Sequence, residues 1–312
     1  MSPPTPSRGP DGTVADLAGR QGGVLTVAQL RAAGVGAAEL RLRVRRGDYR
    51  RVRRGVLLVD RRLSPSDPHV AAAAVLLTVP DAVVAGASAA RAWGLRCVPV
   101  RPLEVIVPSG RGLLARPDLV PHEWPLGEDE VTRWGHLPVT RPDRSVLDVV
   151  LTVDRLEALA LLDEALRAGL LSVDEVRALR PRARRRNRSG HLADLFDLAD
   201  PRAESALESR VRLRCVEGGL VPHALQLEVR DGAWLARVDL AFERPDGSLL
   251  LVEADGAAVH GSVEALHRDR ARANHLLALG HSVLRFTWAD TLDPATIPDA
   301  VRAALRPARR AG

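Results

Sequence analysis

The chain has no lysine, so all 45 of its basic Lys+Arg positions are arginine and no chemistry here can rest on an ε-amino group. The arginine-, alanine-, leucine- and valine-rich composition fits a GC-rich coding bias and by itself points to no function. Cysteine is nearly absent as well. Cys97 and Cys215 lie far apart without metal-ligand spacing, which excludes a disulfide framework and a zinc site, and both read as core thiols. No uninterrupted apolar run approaches the ~18 residues of a membrane span. The Pro/Ser/Gly-rich start, Met1 to Gly12, lacks the apolar stretch of a secretory signal. A soluble, cytoplasmic protein without a membrane partner is expected.

What is present is arginine in one place. The chain carries a formal net charge of +6. Between Thr13 and Asp60 ten arginines stand against Asp16, Glu39, Asp48 and Asp60, an excess equal to the net charge of the whole chain. A positive field so localised is expected of a polyanion-binding face. In this segment "TVADLAGRQG" predicts a short helix. A second helix, "TVAQLRAAG", is capped by Thr26 and stopped by Gly34, and a third, "AAELRLRVRRG", is stopped by Gly47. "DYRRVRRGVLLV" then alternates as a hairpin. Three short helices and a basic wing make a winged helix-turn-helix, whose third helix enters the major groove while the wing touches backbone. Arg41 and Arg45 share a face of the third helix and are the candidate base or phosphate readers, with Arg50, Arg51 and Arg53 as wing contacts. The same pattern also fits a small helical bundle with a solvated arginine face.

The stretch "GVLTVAQLRAAGVGAAELRLRVRRGDYRRVRRGVLLV" resembles the N-terminal domain of AbiEi-family antitoxins of type IV toxin–antitoxin systems. The resemblance implies DNA binding and a toxin partner, with a homodimer as the other possible assembly. From His69 to Leu179 helices alternate with short strands, and no nucleophile–base pair, phosphate loop or metal spacing stands out. His122 and His136 flank Trp124 and Trp134 and read as structural. This segment resembles the middle region of actinobacterial proteins with the same start, and is read as a connecting or sensing domain. "RPRARRRNRSG", with six arginines in the nine residues from Arg180 to Arg188, cannot bury itself and reads as a solvated hinge or a nonspecific phosphate strap.

Beyond it the elements run helix, three strands, helix, strand, the αβββαβ core order of PD-(D/E)xK nucleases. Glu204 and Glu208 lie one turn apart on the first helix. If Pro245, Asp246 and Gly247 form a three-residue loop with glycine left-handed, Asp239 sits across from Glu253, and Asp255 falls on the same face. Opposed carboxylates repel by roughly 0.2–1 kcal/mol. A divalent cation, Mg²⁺ or alternatively Mn²⁺, would offset this and activate water for phosphodiester hydrolysis. Asp239, Glu253 and Asp255 are therefore the candidate metal ligands. A two-residue Asp246-Gly247 turn would instead put Asp239 and Glu253 on opposite faces, and Arg237 could neutralise a merely solvated acidic pair.

"RVDLAFERPDGSLLLVEADGAAVHG", with "RDRARANHLLALGHSVLRFTWADTL", resembles the domain related to very-short-patch-repair (Vsr) mismatch endonucleases, Asp269 and Arg272 among the matching positions. The resemblance implies that Asp239 and Glu253 hold metal, that Glu208 is an acid near the site, and that His260 carries a proton. Asp255 stands where the signature lysine belongs, so cleavage would rest on His260. The fold class expected is multidomain, α+β and α/β. A tail covers 1–12, a winged helix-turn-helix 13–62, a mixed α/β middle domain 63–180 and an Arg-rich linker 181–200. A restriction-endonuclease-like αβββαβ domain covers 201–296, and a C-terminal helix and tail 297–312. The primary functional expectation is a double-stranded-DNA-binding, Mg²⁺-dependent endonuclease with catalytic Asp239, Glu253, Asp255, His260 and Glu208. The alternative is a non-catalytic, antitoxin-like transcriptional regulator that keeps an inactive nuclease fold.

Overall fold

Helix α1 spans Pro10–Arg20, beginning inside the segment expected to be tail. Proline at a helix's first position lacks only an N–H that would have no partner, and Asp11 in the first turn favours the helix dipole. The computed structural model describes residues 10–110, 112–186, 190–256 and 263–306, with side chains of the last segment from 270 onward. The chain divides into two compact units, Met1–Gly94 with Pro99–Asp148 and Leu95–Val98 with Val149–Gly312.

In the first unit α1 is followed by β1 (Val24–Thr26), α2 (Val27–Ala32), α3 (Ala37–Arg45), β2 (Arg50–Arg53) and β3 (Val56–Leu58). Thr26 and Gln29 form a reciprocal capping box that starts α2. Gly47, at φ +76°, ends α3, and Gly55, at φ +79°, makes the wing turn. The three strands pair in the order β1-β3-β2, all antiparallel. Val14, Leu25, Leu30, Leu40, Tyr49 and Leu57 fill the core between helices and sheet. This is the winged helix-turn-helix expected from the sequence.

The same unit continues with α4 (Pro68–Leu76), β4 (Val83–Val84), α5 (Gly86–Ala92), β5 (Leu103–Ile106), β6 (Leu119–His122), β7 (Val131–Trp134), β8 (Leu137–Thr140) and α6 (Pro142–Val150) up to its Asp148. The strands form a mixed sheet in the order β6-β5-β4-β8-β7. Helix α4, capped by Asp67, has little polar surface and is largely buried. Its Val70, Ala73 and Ala74 pack with Val24, Val56 and Leu58 of the winged-helix sheet and with Val84, Leu137 and Val139 of the mixed sheet. The boundary expected after residue 62 is therefore no boundary in packing, because one apolar core runs through it.

The second unit contains α7 (Arg155–Arg167), α8 (Val173–Arg184), α9 (Leu195–Leu198), α10 (Ala206–Glu217), β9 (Ala224–Asp231), β10 (Trp234–Glu243), β11 (Leu249–Ala254), α11 (Val263–Ala278), β12 (Ser282–Phe286) and α12 (Thr296–Leu305). The sheet order is β12-β11-β10-β9, antiparallel except for the β11–β12 pair. Helices α10 and α12 supply Leu207, Val211, Ile297 and Val301 to one face, where Leu240, Phe242 and Val252 lie. Leu276 of α11 packs with Val238, Ala241 and Leu251 in a second cluster. The αβββαβ order expected from the sequence is present.

Two expected boundaries change here. The arginine run is not a free linker up to residue 200. Val176, Leu179 and Ala183 form a buried stripe that carries α8 through Pro181 to Arg184, and Leu192, Leu195 and Phe196 are buried after it. Nor is the C-terminal helix an appendage, since Ile297 and Val301 are completely buried in the sheet's core. Both cysteines are free, Cys215 is buried and Cys97 half-buried, and burial pushes each thiol up to about 12. No helix among the described residues is long and apolar enough to cross a membrane.

Candidate nucleic-acid interface and acidic cluster

Helix α3 turns Leu40 and Val44 into the core and leaves Arg41 and Arg45 exposed. Arg43, between them, is spent on structure. It donates to the Tyr49 hydroxyl at 2.5 Å, to Asp11 at 2.7 Å and to Glu39 at 2.5 Å, and those partners raise its pKa. Between α3 and the wing lies a groove of about 260 Å³ lined by Val27, Val44, Arg41, Arg45, Arg51 and Arg53. Arg41, Arg45, Arg46, Arg51 and Arg54 are exposed, and none has a hydrogen bond or ion pair to another described residue.

Two of the expected wing contacts differ from this. Arg50 is half-buried and donates to the carbonyls of Asp60 at 2.8 Å and Leu63 at 2.6 Å, so it closes the loop after β3. Arg53 lines the groove, but its guanidinium is ion-paired with Asp118. Arg46 and Arg54 take the exposed positions instead. The "RRG" ending α3 and the "RRG" at the wing turn were the available signal for both.

In the second unit the hairpin register is the one the three-residue loop requires. Gly247 is left-handed at φ +80°, and Leu240 pairs with Val252 and Phe242 with Leu250. The ladder ends at the Leu240–Val252 pair, one residue short of Asp239 and Glu253. Asp239 Oδ2 accepts from the Ala254 N–H at 2.8 Å, and Oδ1 accepts from Gln226 Nε2 at 3.3 Å. Gln226 also donates to Glu208 at 2.8 Å, so it bridges the two acids. Its backbone is strained for a non-glycine residue, at φ +52°. Glu208, near the start of α10, accepts a further bond from the Glu204 N–H at 2.8 Å. Burial pushes the pKa of Glu208 up, helped by the charge of Asp239, and burial likewise raises that of Asp239.

Glu253 has other company. Its side chain is 11% exposed and is held by Arg272 of α11 and by Arg285 of β12, the latter at 3.0 Å. Arg272 also donates to the Arg237 carbonyl at 2.6 Å. Arg237, which the alternative reading gave to the acidic pair, meets Glu204 at 2.6 Å. The Asp255 N–H donates to the Phe286 carbonyl, at the end of β12.

Among the described residues no three His, Cys, Asp or Glu side chains are grouped to hold a metal. The expected trio Asp239, Glu253 and Asp255 therefore does not form such a group. The physical reason is charge, since two guanidiniums already compensate Glu253 and a divalent cation would have to displace them. A cavity of about 10 Å³, room for about one water, lies beside Glu208, Gln226 and Asp239. With Glu253 engaged by two arginines, the expected trio does not offer three free carboxylates to Mg²⁺ or Mn²⁺. His260, the expected proton carrier, lies outside the described residues, as does the side chain of Asp269. Gln226 had no signal in the sequence, because its role comes from a backbone distortion.

The fold and the arginine-lined groove define the N-terminal part as a winged-helix module with a cationic face. Residues 13–59 match the family described as "Transcriptional regulator, AbiEi antitoxin", which supports an antitoxin-type regulator domain at the N-terminus. The chain is 32% identical over 177 residues to "Uncharacterized protein MT2308" of Mycobacterium tuberculosis (strain CDC 1551 / Oshkosh) and to "Uncharacterized protein Rv2248" of strain ATCC 25618 / H37Rv. Each match covers 55% of this chain and 64% of the relative, so less than two thirds of either relative is spanned. Among solved structures, "Crystal structure of RV2827C protein from Mycobacterium tuberculosis" aligns with a TM-score of 0.40 and 16% identity, over 70% of this chain and 87% of that one.

Proposed function

We propose that the chain is a DNA-binding transcriptional regulator of the antitoxin type. Helix α3 meets the major groove of a duplex and the wing meets its backbone. The observation that carries this reading is the set of exposed arginines, Arg41, Arg45, Arg46, Arg51 and Arg54, none of them held by another described residue. Unheld guanidiniums keep their donors for phosphate oxygens and for guanine O6 and N7. Arg41 and Arg45 reach towards bases or the flanking phosphates, while Arg51 and Arg54 contact backbone. A toxin protein is the partner that goes with an antitoxin-type start. The test is fluorescence anisotropy with a labelled duplex. Arg41→Ala with Arg45→Ala should weaken binding, whereas unchanged affinity would move the contact elsewhere on the chain.

An endonuclease-like reading of the second unit is supported by its αβββαβ order and by the proximity of Glu208 to Asp239. Metal-dependent cleavage is not supported by a Glu253 engaged with two arginines. We therefore read this fold as a non-catalytic platform. Plasmid nicking in Mg²⁺ or Mn²⁺ by the wild type, lost in Asp239→Ala, would restore the enzyme reading.

A further inference from the structure

The first unit contains a second concave feature, which shares no lining residue with the groove between α3 and the wing. A cavity of about 420 Å³ lies between α4, α5, β5 and β7. That is within the roughly 300–1,000 Å³ of small-molecule sites. Its walls are mostly apolar: Ala71 from α4, Ala92 from α5, Leu103 from β5 and the indole of Trp134 from β7. His69 stands edge-on to Trp134, with ring centroids 4.8 Å apart, and fixes the plane of the indole.

The polar groups on this lining are chiefly donors. Arg91 is half-buried, and burial lowers its pKa. Its Nη1 donates to the Pro99 carbonyl and its Nη2 to the Arg101 carbonyl at 3.3 Å. Those two bonds leave most of its five N–H groups over, and neither partner is an anion. Arg101 makes no hydrogen bond to a described side chain. Its nearest carboxylate is Glu104, at 3.8 Å, which is already held by His122 at 3.0 Å. Ser88 accepts from the Glu104 N–H at 2.9 Å and keeps its own hydroxyl proton to give. Asp67, the carboxylate on the lining, caps α4 by accepting from the His69 N–H at 2.8 Å. What would complete the cavity is therefore an acceptor, and two adjacent guanidiniums favour an anionic one.

We propose that this cavity is a binding site for a small, flat organic carboxylate, its apolar body against Trp134, Leu103, Ala71 and Ala92 and its carboxylate between Arg91, Arg101 and Ser88. The site is independent of the DNA-binding reading and stands or falls by ligand binding alone.

The test uses the full chain and two fluorescent probes of the same shape. These are 1-anilinonaphthalene-8-sulfonate, whose sulfonate stands in for a carboxylate, and the neutral N-phenyl-1-naphthylamine. The wild type should bind one equivalent of the anionic probe about tenfold more tightly than the neutral one, and benzoate should displace it. Arg101→Gln, at a side chain that is 36% exposed, should erase that preference while leaving the neutral probe unaffected, with circular dichroism confirming the fold. Ala92→Trp should fill the cavity and abolish both, with circular dichroism confirming the fold. Equal affinity for the two probes in the wild type would overturn the proposal. So would full anionic-probe binding by both folded variants, which would place the probe on some other apolar surface.

Discussion

Replacing Glu253 by glutamine separates two opposite expectations for the second unit. The carboxylate is 11% exposed and is held by Arg272 and, at 3.0 Å, by Arg285, both of which are 30% exposed. A hydrogen bond to a charged group contributes about 1.5–3 kcal/mol. Partial exposure of the arginines screens this, and the variant keeps one carbonyl acceptor while leaving two like charges facing each other. The net loss is roughly 2–3 kcal/mol, or a fall of roughly 4–12 °C in melting temperature for a domain of this size. Thermal and urea denaturation followed by circular dichroism, each in EDTA and in Mg²⁺, measures it. Had Glu253 been a metal ligand beside Asp239 and Asp255, the metal-free protein would carry carboxylate repulsion. Glutamine would then raise the melting temperature in EDTA, and Mg²⁺ would stabilise only the wild type. That pair of results would refute the charge argument made for this cluster.

Further consequences follow from the arginine face and its supports. Arg43→Ala should destabilise the first unit by about 1–2 kcal/mol through loss of the Tyr49, Asp11 and Glu39 contacts, while Arg41→Ala should stay within about 0.5 kcal/mol of wild type; equal melting curves for both would reject the division of labour on α3. Asp60 should titrate at about 2, below its ordinary 3.8, because the Arg62 side chain and N–H both donate to it. Its pKa is depressed in the folded state, so its contribution to stability is present above 3.8 and is lost as pH falls through about 2. Carboxyl carbon shifts in an NMR titration check this, and Arg62→Ala should move the midpoint upward.

Much of the architecture could be read from local chemistry. Thr26 with Gln29, the glycines at 34, 47 and 55, and the Pro245-Asp246-Gly247 loop each act within a few residues, so the helices, the wing and the hairpin register were legible. The acidic cluster was legible only in part. Position along the strands put Asp239 across from Glu253, but the arginines that occupy Glu253 come from α11 and β12 and are brought to it only by folding. Arg50 and Arg53 looked like free wing contacts for the same reason. Their partners are the carbonyls of Asp60 and Leu63 and the carboxylate of Asp118, which no pattern in the wing announces. The tail and the linker were misread because composition was weighed above the short buried stripes that continue through them.

The most direct test of the central claim is the salt dependence of duplex binding. If the exposed arginines of α3 and the wing meet phosphates, the slope of log K against log salt should shrink by about 0.9 for each phosphate contact removed. The triple variant Arg41→Ala, Arg45→Ala, Arg51→Ala should then flatten that slope and weaken binding. Arg50→Ala, whose guanidinium is held inside the fold, should leave the slope as it is. A slope unchanged in the triple variant would contradict the account.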